Sequence, residues 1–143
     1  LTLFPSDVDA SGVKANLALL EGPLLKRRFE IAAAAFEAGD LETARRGFRG
    51  AMEIEPGFFE AAFNLGLVLA RLGSWDEAAK AFRAACASRE GDFEAWLRLG
   101  DACREAGEEA EALRAFERAK GLAASEGQRR AVALRLGPVE LKR

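Results

Sequence analysis

Apolar residues in this chain recur at helical spacing, three and four apart, in short blocks separated by glycine. Phe63, Leu65, Leu67, Val68, Leu69 and Leu72 predict a helix over residues 59–72. Gly73-Ser74 interrupts it. A second helix follows over 75–88, with Ala78, Ala79, Phe82 and Ala85 on one face. The same grammar repeats at a fixed period without insertion or deletion, giving units of equal length at 25–58, 59–92 and 93–126. In register fall Gly39, Gly73 and Gly107; Ala44, Ala78 and Ala112; Phe48, Phe82 and Phe116; and Ala51, Ala85 and Ala119. Helices are therefore also expected over 25–38, 41–54, 93–106 and 109–122. A fixed period of this kind means that each unit buries its apolar face only against its neighbours. Glycine suits the left-handed residue that follows a helix end, and such short links make each helix pair an antiparallel hairpin. The fold expected is all-α.

Small residues stand where close approach is needed. Gly66 and Gly100 share a phase inside first helices, where Ala32 replaces them in the first unit. A mid-helix glycine costs about 1 kcal/mol relative to alanine, so the shared phase predicts backbone-to-backbone contact. Phe48, Phe82 and Phe116 are the large plugs between hairpins, each contributing on the order of 2–3 kcal/mol on burial.

The flanks are less regular. Residues 127–136 read as an amphipathic helix in which Ala131, Val132, Leu134 and Leu136 cover the last unit, before Gly137-Pro138 and a frayed tail over 139–143. Residues 1–24 hold a further helix over about 8–20, preceded by a start (1–7) resembling the closing turn of a preceding unit. Two readings stand: a remnant of another unit, or a separate helix capping the first hairpin. Because the chain begins with Leu1, a natural start further upstream is expected.

Composition narrows the chemistry. Twenty-one basic and 23 acidic residues are well mixed, for a net charge of −2, which does not suit a nucleic-acid partner. No apolar run reaches the ~18 residues of a membrane span, so direct insertion by this segment is not expected. With no histidine, imidazole-based catalysis and metal ligation are excluded within the chain. Cys86 and Cys103 lack metal-ligand spacing and are expected as buried free thiols. Glu108-Glu109 stands at a helix start, where negative charge complements the dipole. The expectation is a non-enzymatic protein with no cofactor and no metal site. A cytoplasmic location is expected, and the Ala-, Arg- and Gly-rich composition fits a GC-rich bacterial genome.

Trp96-x-x-Leu99-Gly100-x-x-Cys103, followed by Ala112-x-x-x-Phe116, resembles the signature of the tetratricopeptide repeat. The middle unit matches through Leu65-Gly66, Ala78 and Phe82, and the first through Ala44, Phe48, Ala51 and Pro56. Cys103, Leu69 and Ala35 stand where the family often has tyrosine, and Glu90 and Ala124 replace its closing proline. The resemblance covers 102 of the 143 residues. It implies a right-handed superhelical stack of hairpins with flanking capping helices, whose first helices line a concave groove that holds a peptide or helix of a partner protein.

Carried over by phase, the groove residues are Phe29, Phe36, Phe63, Asn64, Leu67, Arg71, Leu97, Arg98 and Arg104, with Gln128 and Arg135 at the open end. The phenylalanines and leucines form an apolar patch and the arginines gather toward the C-terminal half. Such a groove suits a peptide with apolar anchors and an acidic side chain or carboxylate. Phe29 and Phe36 either meet a ligand or pack beneath the N-terminal helix. The Asn64 amide either bonds a ligand backbone or a neighbouring helix. Trp75 and Trp96 fall at core positions of hairpin interfaces. The carboxylate clamp of chaperone-binding family members is not expected, since only Asn64 and Arg98 match it while Phe29, Ala33 and Glu94 replace its other positions. The implied function is a protein–protein interaction module; the alternatives are a scaffold domain of a larger, membrane-anchored or enzyme-fused protein, or a small secretion-type chaperone. Self-association through the groove is a further expectation.

Overall fold

The structure, a computed structural model, describes the backbone of residues 10–137 and the side chains of residues 22–137. The expected closing turn at the start and the frayed tail lie outside the described residues. Among those described, the secondary structure is helical: α1 (Ala10–Ala38), α2 (Leu41–Ile54), α3 (Phe59–Arg71), α4 (Trp75–Ser88), α5 (Phe93–Glu105), α6 (Glu109–Leu122) and α7 (Glu126–Leu136). Each helix packs chiefly on its sequence neighbours, so the molecule is a stack of hairpins. Gly39, Gly73 and Gly107 close α1, α3 and α5 with φ of 87°, 80° and 86°. An L side chain is strained there, which is why the three links share glycine.

The repeating columns build the core. Phe48, Phe82 and Phe116 are buried, as are Ala44, Ala78, Ala112, Ala51, Ala85 and Ala119. The in-helix glycines serve a purpose different from the one expected. A side chain on Gly66 would meet the Phe82 ring at 2.5 Å, and one on Gly100 the Phe116 ring at 2.4 Å. The glycine is thus a notch for the aromatic plug of its own hairpin, not a backbone-to-backbone contact. Trp75 and Trp96 are half-buried rather than enclosed. Trp96 Nε1–H donates to the Glu90 carbonyl at 2.8 Å, which holds the indole at the edge of the stack.

Two helix starts differ from expectation. The separate N-terminal helix is instead continuous with the first helix of hairpin 1, and α1 runs through Pro23 for 29 residues. Proline removes one intrahelical bond and crowds the preceding turn, a cost of about 3 kcal/mol that the long helix absorbs. At the other end α7 begins one residue early because Ser125 caps it. Ser125 Oγ accepts from Gln128 N–H at 3.1 Å, and Gln128 Oε1 accepts from Ala124 N–H at 2.7 Å.

Candidate functional site

The first helices of the hairpins, α1, α3 and α5, carry the residues expected to face a ligand. On α3, Phe63, Leu67 and Arg71 succeed one another at four-residue spacing and so share a helix row. Phe63 and Leu67 are half-buried and Arg71 is exposed. The Phe63 ring stacks on Phe59 at 5.7 Å and meets Phe82 edge-on at 5.7 Å, so the core plug fixes it from behind. The Arg71 guanidinium lies 4.6 Å from the centre of the Phe36 ring, joining α3 to α1. Phe36, Phe63, Leu67 and Arg71 are thereby tied to the same two first helices. Asn64, beside them, is half-buried with no hydrogen-bond partner among the described residues.

Phe29 sits differently. Its ring packs 5.4 Å from Phe48 and 5.1 Å from Phe58, making it internal packing of the first hairpin with one edge left open. Leu97, one repeat after Phe63, is only 4% exposed and belongs to the core. A side chain so enclosed offers almost no surface to a ligand.

The arginines do not form a free cationic cluster. Arg98 is exposed and donates to Glu94 one turn away at 3.2 Å. Arg104 donates to Glu109 at 3.2 and 2.8 Å and to the Arg135 carbonyl at 2.7 Å, while its guanidinium covers the Phe116 ring. The Arg104 guanidinium holds the Glu109 carboxyl below its ordinary range. Arg135, expected at the open end, pairs bidentately with Asp101 at 2.7 and 2.9 Å. Arg104 and Arg135 therefore fasten α7 to α5 and α6, and Gln128 is spent on capping α7. Asp101 lies one repeat beyond Leu67, and Arg135 one repeat further. The period itself, with opposite charges one step apart, was the sequence signal for this pair.

The opposite side of the stack repeats too. Arg49 of α2 reaches Glu77 of α4 at 3.6 Å, and one repeat later Arg83 of α4 grips Glu111 of α6 at 2.8 and 2.9 Å. Below each pair lies an open cleft, one of about 360 Å³ containing Met52 and Leu65, the other of about 460 Å³ containing Cys86 and Leu99. Cys103 Sγ and carboxylate oxygens of Glu108 and Glu111 come within 4.8 Å of one another. Arg83 already occupies Glu111 and lies 3.9 Å from Glu108, so the charge that would hold a cation is neutralised. Burial also pushes the Cys103 thiol up to about 11 and that of Cys86 up to about 12, away from the thiolate a metal needs. No described helix is long and apolar enough to cross a membrane.

A family model described as tetratricopeptide repeat matches residues 27–93 and 88–127. Among solved structures, the type III secretion chaperone SycD of Yersinia enterocolitica, in complex with a peptide of the translocator YopD, superimposes with a TM-score of 0.75 at 18% identity. That likeness covers 84% of this chain and 95% of SycD. MamA superimposes with a TM-score of 0.65 at 22% identity, over 68% of this chain and 57% of that one. MamA residues 41 to the end, from Desulfovibrio magneticus RS-1, gives 0.64 at 22% identity, over 68% and 55%. The chain thus spans little more than half the length of MamA. No curated protein matches the sequence.

Proposed function

Because the chain belongs to the tetratricopeptide-repeat family, whose stacked hairpins are protein-interaction modules, we propose that it is a non-enzymatic module holding a peptide segment or helix of a partner protein along α1 and α3. The observation that carries this reading is the α3 row of Phe63, Leu67 and Arg71, flanked by Asn64, a half-buried amide with no partner among the described residues. A half-dry amide beside apolar side chains offers a donor and an acceptor to a ligand backbone, while Phe63 and Leu67 receive its apolar anchors. Arg71, held over Phe36, supplies the cation for an acidic residue at one end. The core of the site is then Phe36, Phe63, Asn64, Leu67 and Arg71. Arg98 joins if a ligand displaces Glu94, whereas Phe29, Leu97 and Arg104 support the wall from within.

A second reading, a small secretion-type chaperone, is favoured by the extent of the likeness to SycD, which takes in 95% of that chain. At 18% identity the likeness carries the fold, and the chaperone role remains part of the proposal.

A displayed random-peptide library selected against the parent tests the site. Leu67→Glu and Asn64→Arg should weaken selected peptides by about tenfold or more in calorimetry, while Lys80→Glu, beside the cleft on the other side, should not. Groove variants that keep their helical spectrum and the parent's affinity would place peptide binding elsewhere.

A further inference from the structure

Glu30, Ala33 and Glu37 of α1 stand one repeat before Asn64, Leu67 and Arg71 of α3, so the two sets line the same side of the stack. Ala32 presses on Gly47 of α2 and the Phe36 ring meets Arg71 of α3. Those contacts fix how α1 is turned and set Glu30 and Glu37 beside the α3 row. Both glutamates are exposed, and neither has a hydrogen-bond or ionic partner among the described residues. Other carboxylates on the first helices are taken: Glu60 by Arg89, Glu94 by Arg98 and Asp101 by Arg135. Two cations lie near the pair. Lys26, one turn before Glu30, makes no bond to it, and basic-before-acidic is the weaker order at this spacing. Arg71 lies on the Phe36 ring without pairing with Glu37. The last turn of α1 carries no basic residue of its own, where α3 has Arg71 and α5 has Arg104. Its negative helix end thus adds to the Glu37 charge.

Spacing decides the form of ligand that meets both acids. Glu30 and Glu37 are seven residues apart, which is about 10 Å along a helix. Side chains on one face of an extended strand recur about every 7 Å, so the next one falls short of Glu37 and the one after passes it. A helix lying alongside α1 has the same rise, and its residues seven apart stay on one face and reach both. Ala33, between the acids, is small and leaves room for that backbone. Phe63 and Leu67, four apart on α3, match the apolar stripe of the same helix. We propose that the segment held at this site is an amphipathic helix lying along α1. Its basic residues, seven apart, pair with Glu30 and Glu37, and its apolar stripe rests on Phe63 and Leu67. This rests on the reading of α1 and α3 as the binding site.

Two synthetic helical peptides of three heptads test it, alike in their leucine stripe and differing only in lysine or glutamate at every seventh position along one edge. In calorimetry the parent should bind the lysine peptide about tenfold or more tighter than the glutamate peptide. Glu30→Lys/Glu37→Lys, altering two exposed side chains, should reverse that preference. Glu53→Lys/Glu117→Lys makes the same change in net charge at exposed positions of α2 and α6 and should leave the preference as in the parent. A proline at the centre of the lysine peptide should abolish binding. Failure to bind either peptide, equal affinity for both, or an unchanged preference in the α1 variant would overturn the proposal. So would a reversal in the Glu53/Glu117 variant, or full affinity for the proline peptide. The binding site itself is judged separately. Library-selected peptides weakened by Leu67→Glu but not by Glu30→Lys/Glu37→Lys would keep the site and remove the basic helix.

Discussion

The side chain of Ala32 fills the space that a side chain on Gly47 would need, since a Cβ built on Gly47 would lie 2.6 Å from the Ala32 Cβ. In the next two repeats the exchange is reversed. Gly66 and Gly100 take the phase of Ala32, and Ala81 and Ala115 take that of Gly47. Each hairpin therefore holds one glycine and one alanine at this crossing, and repeats 2 and 3 use the glycine side to admit Phe82 and Phe116.

Gly47→Ala should cost about 1–3 kcal/mol by overpacking, although alanine is the better helix former. Adding Ala32→Gly should recover much of that loss, because the pair then copies the arrangement of the later repeats. Urea unfolding of the two single variants and the double variant gives the coupling. Additive losses would mean that the two positions do not share the space.

Detaching α7 should be a local event. Asp101→Ala removes both carboxylate oxygens that accept from the Arg135 guanidinium and leaves it the Ala131 carbonyl. Both charged groups are about one-third exposed, so a global loss of only about 1 kcal/mol is expected. Amide exchange should accelerate through α7 while α3 and α4 stay protected. Uniform acceleration throughout the chain would show that α7 is instead a cooperative part of the core.

The two thiols make the protein sensitive to alkali. Burial raises Cys86 to about 12 and Cys103 to about 11 from an ordinary value of 9.0. Above pH 9 the unfolded chain releases these protons while the folded chain keeps them, so stability is full below pH 9 and falls as pH rises through 9 toward 11–12. Denaturation midpoints between pH 8 and pH 10.5 should fall less for Cys86→Ala/Cys103→Ala than for the parent. At pH 8 an alkylating reagent should modify the parent slowly until urea is added. Fast labelling of the folded protein would contradict the burial of both thiols.

The two inter-repeat ion pairs differ in geometry and should differ in strength. Arg83 makes two short bonds to Glu111, whereas Arg49 makes one long contact to Glu77. With partly exposed partners, Arg83→Met should cost about 0.5–1 kcal/mol and Arg49→Met less than about 0.5. High salt should shrink the first loss. Equal losses at both sites would assign the effect to the methylene stems rather than to the charges.

Much of the fold was legible because caps and core repeat in phase. Helices over 41–54, 75–88 and 109–122 form within the expected bounds, and the glycine links fall at Gly39, Gly73 and Gly107. The helix expected over about 8–20 is instead part of α1, which continues through Pro23 into the first hairpin. The site was harder to read. Phase says which row a residue occupies but not whether a neighbour covers it, so Leu97 was placed beside Phe63 although the structure encloses it. Both Arg71 and Arg104 lie over an aromatic ring, and charge alone did not show that Arg104 also spends its donors on Glu109 and the α7 backbone. The alanine–glycine exchange was visible as Gly47 standing in a column of alanines, a signal that needs two columns read together.

The recurring Arg–Glu contact also means that the seams after residues 58 and 92 are interchangeable. A duplicate of residues 59–92 inserted between them would meet Glu77 with its upstream neighbour's arginine and offer Arg83 to the next acidic partner, leaving no orphaned charge at either boundary. Genetic duplication can therefore lengthen the array in whole steps without redesigning its interior. The reach of such an array is set by copy number, and its selectivity evolves separately, in the few side chains that differ from one copy to the next.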